Sequence, residues 1–124
     1  MKKGVIYLFF VLLFSCQASD TDDIFCTTEV KAGLIVSVHL VESSSNIPIS
    51  DGVTVVATDG NYSETLQFFD AQNPIFYGAY ERAGTYTLTV TKPGRRTYIS
   101  QPIVLTRDIC HVIPQNIMVP LLPN

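Results

Sequence analysis

The 124-residue sequence predicts an all-β domain, a sandwich of seven short strands. Three observations lead there. Apolar and polar residues alternate at period two in several segments, the mark of a half-buried strand. Turn signals recur about every ten residues. After residue 26 no segment carries apolar residues at helical spacing.

The strands follow in order. Residues 34–41 (LIVSVHLV) place Leu34, Val36, Val38 and Leu40 on one face and Ser37 and His39 on the other. A turn cluster at 43–46 is prolonged by Pro48 and Asp51-Gly52. Residues 53–57 (VTVVA) form the second strand. Asp59-Gly60-Asn61 is a hairpin signal, because Gly and Asn accept positive φ, and residues 63–69 are its partner strand. Residues 70–74 interrupt, and 75–80 (IFYGAY) resume. Ala83-Gly84 turns the chain into 85–91 (TYTLTVT), where Tyr86, Leu88 and Val90 face in and four threonines face out. Pro93-Gly94 makes the next turn. Residues 97–105 contain Pro102, which has no N–H to donate, so this strand lies at an edge or breaks there. Residues 116–121 (NIMVPL) are last, with Pro120 again marking an edge or a strand end.

The first fifteen residues are of another kind. Lys2-Lys3 precede an unbroken apolar run, 5–14 (VIYLFFVLLF). Ten residues are too few to span a bilayer but suit the apolar core of a signal peptide. Leu13-Phe14-Ser15-Cys16 resembles a bacterial lipobox, in which cleavage precedes the Cys and its thiol carries lipid. Phe14 is bulkier than the usual residue there. An ordinary secretory signal cut elsewhere is the alternative. Each buried CH₂ contributes about 0.8 kcal/mol, so two or more acyl chains on Cys16 make a stable membrane anchor. Residues 17–23 (QASDTDD) are small, polar and acidic and read as a tether. An acidic stretch in this place resembles the export signal of surface lipoproteins in Bacteroidetes. The expected divisions are a signal peptide at 1–15, a lipid-anchored tether at 16–25 and a sandwich domain at 26–124. The expected location is the bacterial outer membrane, with surface exposure on the acidic-signal reading.

Charge follows the same boundary. The chain has 8 basic and 11 acidic residues, net −3; removal of 1–15 takes two lysines and no acid, leaving 6 against 11, or −5. An acidic domain without a basic cluster argues against nucleic acid and against docking on anionic lipid.

Three cysteines are an awkward number until Cys16 is set aside. Cys26 and Cys110 then remain as a pair in an exported, oxidising setting, where a disulfide forms. A metal pair or a redox dithiol is the alternative, and no C-x-x-C spacing supports either.

Asn46-Ile47-Pro48-Ile49-Ser50-Asp51-Gly52-Val53-Thr54-Val55 resembles the G-x-P-I-x-G-A-x-V opening of carboxypeptidase-regulatory-like domains. Gly84-Thr85-Tyr86-Thr87-Leu88-Thr89-Val90, followed by Lys92-Pro93-Gly94, is similar to their G-x-Y-x-L-x-V segment and the glycine after it. The resemblance covers about residues 28–122. It implies a transthyretin-like, seven-stranded Greek-key sandwich that serves as an accessory module without catalytic residues or a cofactor. Arg95 stands where that family has an aromatic, and Asn73-Pro74-Ile75-Phe76 replaces its D-G-x-F turn. The Cys26/Cys110 pair is not a general feature of the family.

No enzyme constellation emerges. Nucleophilic catalysis needs an activated Ser or Cys beside a base, and there is no G-x-S-x-G elbow. The Tyr-Arg-Gly-Ser ending of the related urate-pathway hydrolase is missing. A metal needs three or four ligands; His39, His111 and Asp108 converge only if the first and last strands bring them together. Lys92, Arg95 and Arg96 make a small cationic tip able to grip a carboxylate or phosphate, with a plain solvated turn as the favoured reading. Asn61-Tyr62-Ser63 matches a glycosylation pattern that has no use in a bacterium.

Phe68, Phe69, Phe76, Tyr77 and Tyr80 crowd into one stretch. Of these, Phe69, Phe76, Tyr77 and Tyr80 are the candidate ligand-contacting residues, for stacking on sugar rings or anchoring a protein. The bland alternative is that alternate members fill the core. The expected function is a non-catalytic, membrane-anchored envelope lipoprotein whose sandwich is a structural or protein-binding module. The alternative is a carbohydrate-binding or adhesive surface module. The expected partners are the membrane, through lipid on Cys16, and an envelope protein or glycan.

Overall fold

Residues 24–42 and 47–124 are described by a computed structural model. They are all strand and turn, with no helix among them. One sheet contains β1 (Ala32–Leu40), β4 (Gln67–Phe68), β5 (Phe76–Tyr80) and β9 (Gln115–Leu121), in the order β4-β5-β1-β9. Here β1 runs antiparallel to β5 and parallel to β9. The other sheet contains β2 (Thr54–Asp59), β3 (Tyr62–Thr65), β6 (Gly84–Thr91), β7 (Tyr98–Ile99) and β8 (Ile103–Leu105). Its order is β3-β2-β6, with β7 and β8 on successive stretches of β6, all antiparallel.

The pleat places the core where alternation predicts it. Leu34, Val36 and Val38 of β1, Phe76 of β5 and Val119 and Leu121 of β9 face Val55 and Ala57 of β2, Tyr86, Leu88 and Val90 of β6 and Leu105 of β8. Each Val, Leu or Phe side chain buried this way contributes roughly 1.5–3 kcal/mol.

Nine strands stand where seven were predicted, because two predicted strands each break. The segment 63–69 breaks at Leu66. The Leu66 N–H still bonds the Val55 carbonyl of β2 at 2.8 Å, and its side chain enters the core. The chain then crosses to the other sheet, where β4 pairs with β5. The segment 97–105 breaks at Ser100. Its hydroxyl accepts the Leu88 N–H at 2.9 Å and donates to the Gln101 carbonyl at 2.8 Å, so a side chain replaces one rung of the ladder just before Pro102. Pro120 sits in β9, an edge strand of its sheet.

The hairpin between β2 and β3 turns through Gly60 and Asn61, with Gly60 at φ 60° as a type II′ turn requires. Near it, side chains bind the two sheets together. Glu64 of β3 accepts from the Ala79 N–H of β5 at 3.0 Å and from the Tyr62 hydroxyl at 2.6 Å. That bond holds the Tyr62 phenol in its protonated form and raises its pKa to about 12. The Arg82 guanidinium lies 3.7 Å from the Tyr62 ring centre and donates to Asp59 at 3.0 Å and to the Tyr86 hydroxyl at 2.8 Å. A Cβ at position 84 would collide with the Asp59 carboxylate, which reserves that place for Gly84.

The Tyr86 hydroxyl donates back to the Arg82 carbonyl, four residues upstream, at 2.9 Å. This is the tyrosine corner of antiparallel sandwiches. Tyr86→Phe removes both of these part-buried hydrogen bonds and is expected to destabilise the fold by about 1 kcal/mol. Urea unfolding should show a lower midpoint at unchanged slope; an unchanged midpoint contradicts the role.

Candidate functional site

Two constellations stand apart from the core, an aromatic hollow and a clasp around the disulfide.

The hollow follows from strand register. Gln67 lies opposite Tyr77 and Phe68 opposite Phe76. Side chains alternate across a sheet, so if Phe76 points in, Tyr77 points out. Phe76 is 2% exposed and packs edge-on against Phe68, with centroids 5.3 Å apart. Of the four candidate aromatics it is the one the fold withdraws: the inward side of β5 needs its volume, and no ligand reaches it. Phe69 is 73% exposed and lies nearly parallel to Tyr77, with centroids 6.0 Å apart and 27° between planes. Phe69, Tyr77 and Tyr80, with Asp70 and Asn73, line an open hollow of about 330 Å³. Tyr80 is 43% exposed, and burial of its inner part, then Tyr77 and Glu64, raises its pKa and keeps its hydroxyl a donor. Beside the hollow, Ile35, Ser37, Ile75, Asn116, Ile117 and Met118 line a second depression of about 280 Å³.

The clasp is built on Cys26 and Cys110, which form a disulfide with Cα atoms 5.2 Å apart at a sequence separation of 84. Cys110 stands in a tight turn. Asp108 Oδ1 accepts the N–H groups of His111 and Cys110, each at 2.8 Å, which lowers the Asp108 pKa. Arg107 and Val112 pair across the turn. The neighbours of the two cysteines meet as well. His111 Nε2 lies 2.9 Å from Thr27 Oγ1, and His111 Nδ1 lies 2.6 Å from Glu81 Oε2. Glu81 also accepts the Lys31 N–H at 3.0 Å and the Val112 N–H at 2.9 Å. Those two backbone donors, then His111, bring its pKa down to about 2. Its backbone sits at φ 51°, in the left-handed region, a strained place for Glu that the surrounding bonds hold.

Thr27, His111 and Glu81 have the hydroxyl–imidazole–carboxylate order of a hydrolase relay. The four cavities described lie away from Thr27 and His111. The arrangement is a structural knot that ties the chain entry to the turn before β9. Glu81 escaped the sequence reading because its partners lie 50 and about 30 positions away. Only the Asp108–Cys110–His111 turn left a local trace.

Other candidates are placed as follows. His39 lies opposite Pro120, at the far end of the β1–β9 pair from His111, so the two histidines do not converge with Asp108. Among the described residues no three His, Cys, Asp or Glu side chains gather as a metal site. Two residues of the cationic tip are engaged by the fold itself. Arg95 forms a two-pronged ion pair with Glu42, and Lys92 Nζ donates to the Asp51 carbonyl at 2.7 Å. Asn61 occupies the β2–β3 hairpin tip. Cys16, the leader, tether residues 16–23 and the turn at 43–46 lie outside the described residues.

The described residues therefore define a class: a β-sandwich-like domain locked by one disulfide, with an aromatic hollow on one sheet. No protein-family model and no curated protein sequence matches the chain.

Two outcomes test the clasp. Reduction, or joint replacement of Cys26 and Cys110 by Ala, is expected to lower the unfolding free energy by about 2–5 kcal/mol, read in urea. An equal midpoint with and without reductant would show that the bond carries nothing. Glu81 predicts an acid limb. Its folded pKa lies below the ordinary 4.5, so its ionised form stabilises the fold above that pH. The contribution is lost as pH falls from about 4.5 to about 2. Thermal midpoints of Glu81→Gln should be lower at neutral pH and flatter across that window; a wild-type acid slope refutes the assignment.

Proposed function

We propose that this chain is a non-catalytic envelope lipoprotein: a rigid sandwich, held at the outer membrane by lipid on Cys16, that binds or supports another envelope component. The observation that carries this reading is the Cys26–Cys110 disulfide. Structural disulfides persist in oxidising compartments, which fits export. The bond also leaves Cys16 as the one remaining cysteine, at the end of the apolar leader. In the same reading the domain is a carboxypeptidase-regulatory-like module of the transthyretin-like Greek-key class. The alternation of β6 and the closed turn after it, with Gly94 at φ 80° and the Arg95 N–H on the Lys92 carbonyl at 3.0 Å, support that assignment.

The binding face in this reading is the outer side of the β4-β5-β1-β9 sheet, where Phe69, Tyr77, Ile35 and the 61% exposed Met118 meet solvent across four strands. Cys16→Ala tests the anchor in cells that make the full chain. The protein is expected to leave the membrane fraction and to lose fatty-acid labelling. Labelling that persists in the variant overturns the lipoprotein reading.

A further inference from the structure

The hollow beside β4 is more than the sandwich needs. A folded domain gains little from a phenylalanine left 73% in solvent, yet Phe69 is kept nearly parallel to Tyr77. Tyr80 adds a third aromatic wall. The loop between them is shaped by its own bonds. Asp70 Oδ1 accepts the Gln72 N–H at 2.9 Å, the Asp70 carbonyl accepts the Asn73 N–H at 3.0 Å, and the Asn73 carbonyl accepts the Ile75 N–H at 2.8 Å. Asp70 Oδ2 and the Asn73 side-chain amide have no hydrogen-bond partner among the described residues, and both residues line the hollow. The lining thus joins an apolar platform to an acceptor, an amide that both donates and accepts, and phenolic hydroxyls. No Lys or Arg is part of it.

We propose that this hollow binds a neutral pyranose ring of a glycan, a ligand class that rests on the reading of the chain as a binding module. One face of a pyranose is a patch of C–H groups that lies flat on an aromatic ring, and its rim of hydroxyls needs donors and acceptors at the edge of that platform. Phe69, stacked on Tyr77, supplies the platform; Asp70, Asn73 and Tyr80 supply the edge. Charge selects further. The Asp70 carboxylate, with no cation in the lining, disfavours uronic acids and sulfated or phosphorylated sugars. Rings that surround a ligand suit a quaternary ammonium; Phe69 and Tyr77 stack on each other and do not form such a cage. A hollow of about 330 Å³ is at the small end of ligand sites, which fits one or two rings of a longer chain.

The test uses the full chain in detergent and a panel of methyl pyranosides: glucoside, galactoside, mannoside, N-acetylglucosaminide and glucuronide. Saturation transfer by NMR reads which sugar protons touch the protein. Transfer is expected to the C–H face of at least one neutral sugar and not to the glucuronide. Phe69→Ala should weaken that binding by about tenfold or more, the loss of one stacking surface. Asp70→Asn should weaken it less and lessen the discrimination against glucuronide. Because Phe69 is exposed, its variant is expected to keep the wild-type thermal midpoint, which separates lost binding from lost folding. Equal transfer in wild type and Phe69→Ala, or transfer to none of the panel at millimolar concentration, overturns the proposal. A crosslinked partner from native membranes that Phe69→Ala loses, and that no sugar of the panel displaces, also overturns it while leaving the module reading intact.

Discussion

One carboxylate closes this fold. Glu81 stands in the turn between β5 and β6 and holds the Lys31 N–H from the chain entry, the Val112 N–H from the approach to β9, and His111 between them. Without it, two stretches of backbone would meet with unpaired donors. β1 and β9 lie side by side and parallel, an arrangement no short loop can enforce. Glu81 and the disulfide fix its starting register from outside the sheet. The left-handed backbone at Glu81 is part of the same device, since it aims the side chain at the entry point.

The opposite end of the sandwich is closed by backbone. The Arg96 N–H donates to the Leu122 carbonyl at 3.1 Å, and Arg95 bridges to Pro123. There the final residues of the chain leave one sheet and touch the other. Arg95, in the place of an expected aromatic, contributes an ion pair with Glu42 where a ring would contribute packing. Both ends are thus held by polar contacts, and the apolar core between them is left to the pleat. The outer face of the four-stranded sheet is then free to carry apolar side chains that the core does not use.

The all-β class was legible because burial obeys the pleat. Leu34, Val36 and Val38 in β1 and Tyr86, Leu88 and Val90 in β6 are buried as their alternation requires. The strand breaks were not legible, because each is decided by a distant partner: Val55 for Leu66, and Leu88 for Ser100. The aromatic crowd between 68 and 80 was visible as composition. Its division into an inward Phe76 and outward Phe69 and Tyr77 depends on the register of β4 against β5, which composition does not encode. The cysteine pair was legible from parity once Cys16 was assigned elsewhere, whereas the hydrogen-bonded knot beside it had almost no local trace.

The position of the disulfide has a mechanical consequence. Cys26 lies six residues before β1, and Cys110 lies five residues before β9, at the same end of two parallel strands. Tension on the chain ahead of Cys26 therefore divides at the sulfur bridge and enters both strands together. The pair is dragged as one piece, and the load falls on β1 against β5 as shear along the strand axis. Under shear a ladder of hydrogen bonds must yield all at once, whereas a strand peeled from its end gives them up singly. A domain tugged from its amino-terminal side is built by this one crosslink to resist as a block.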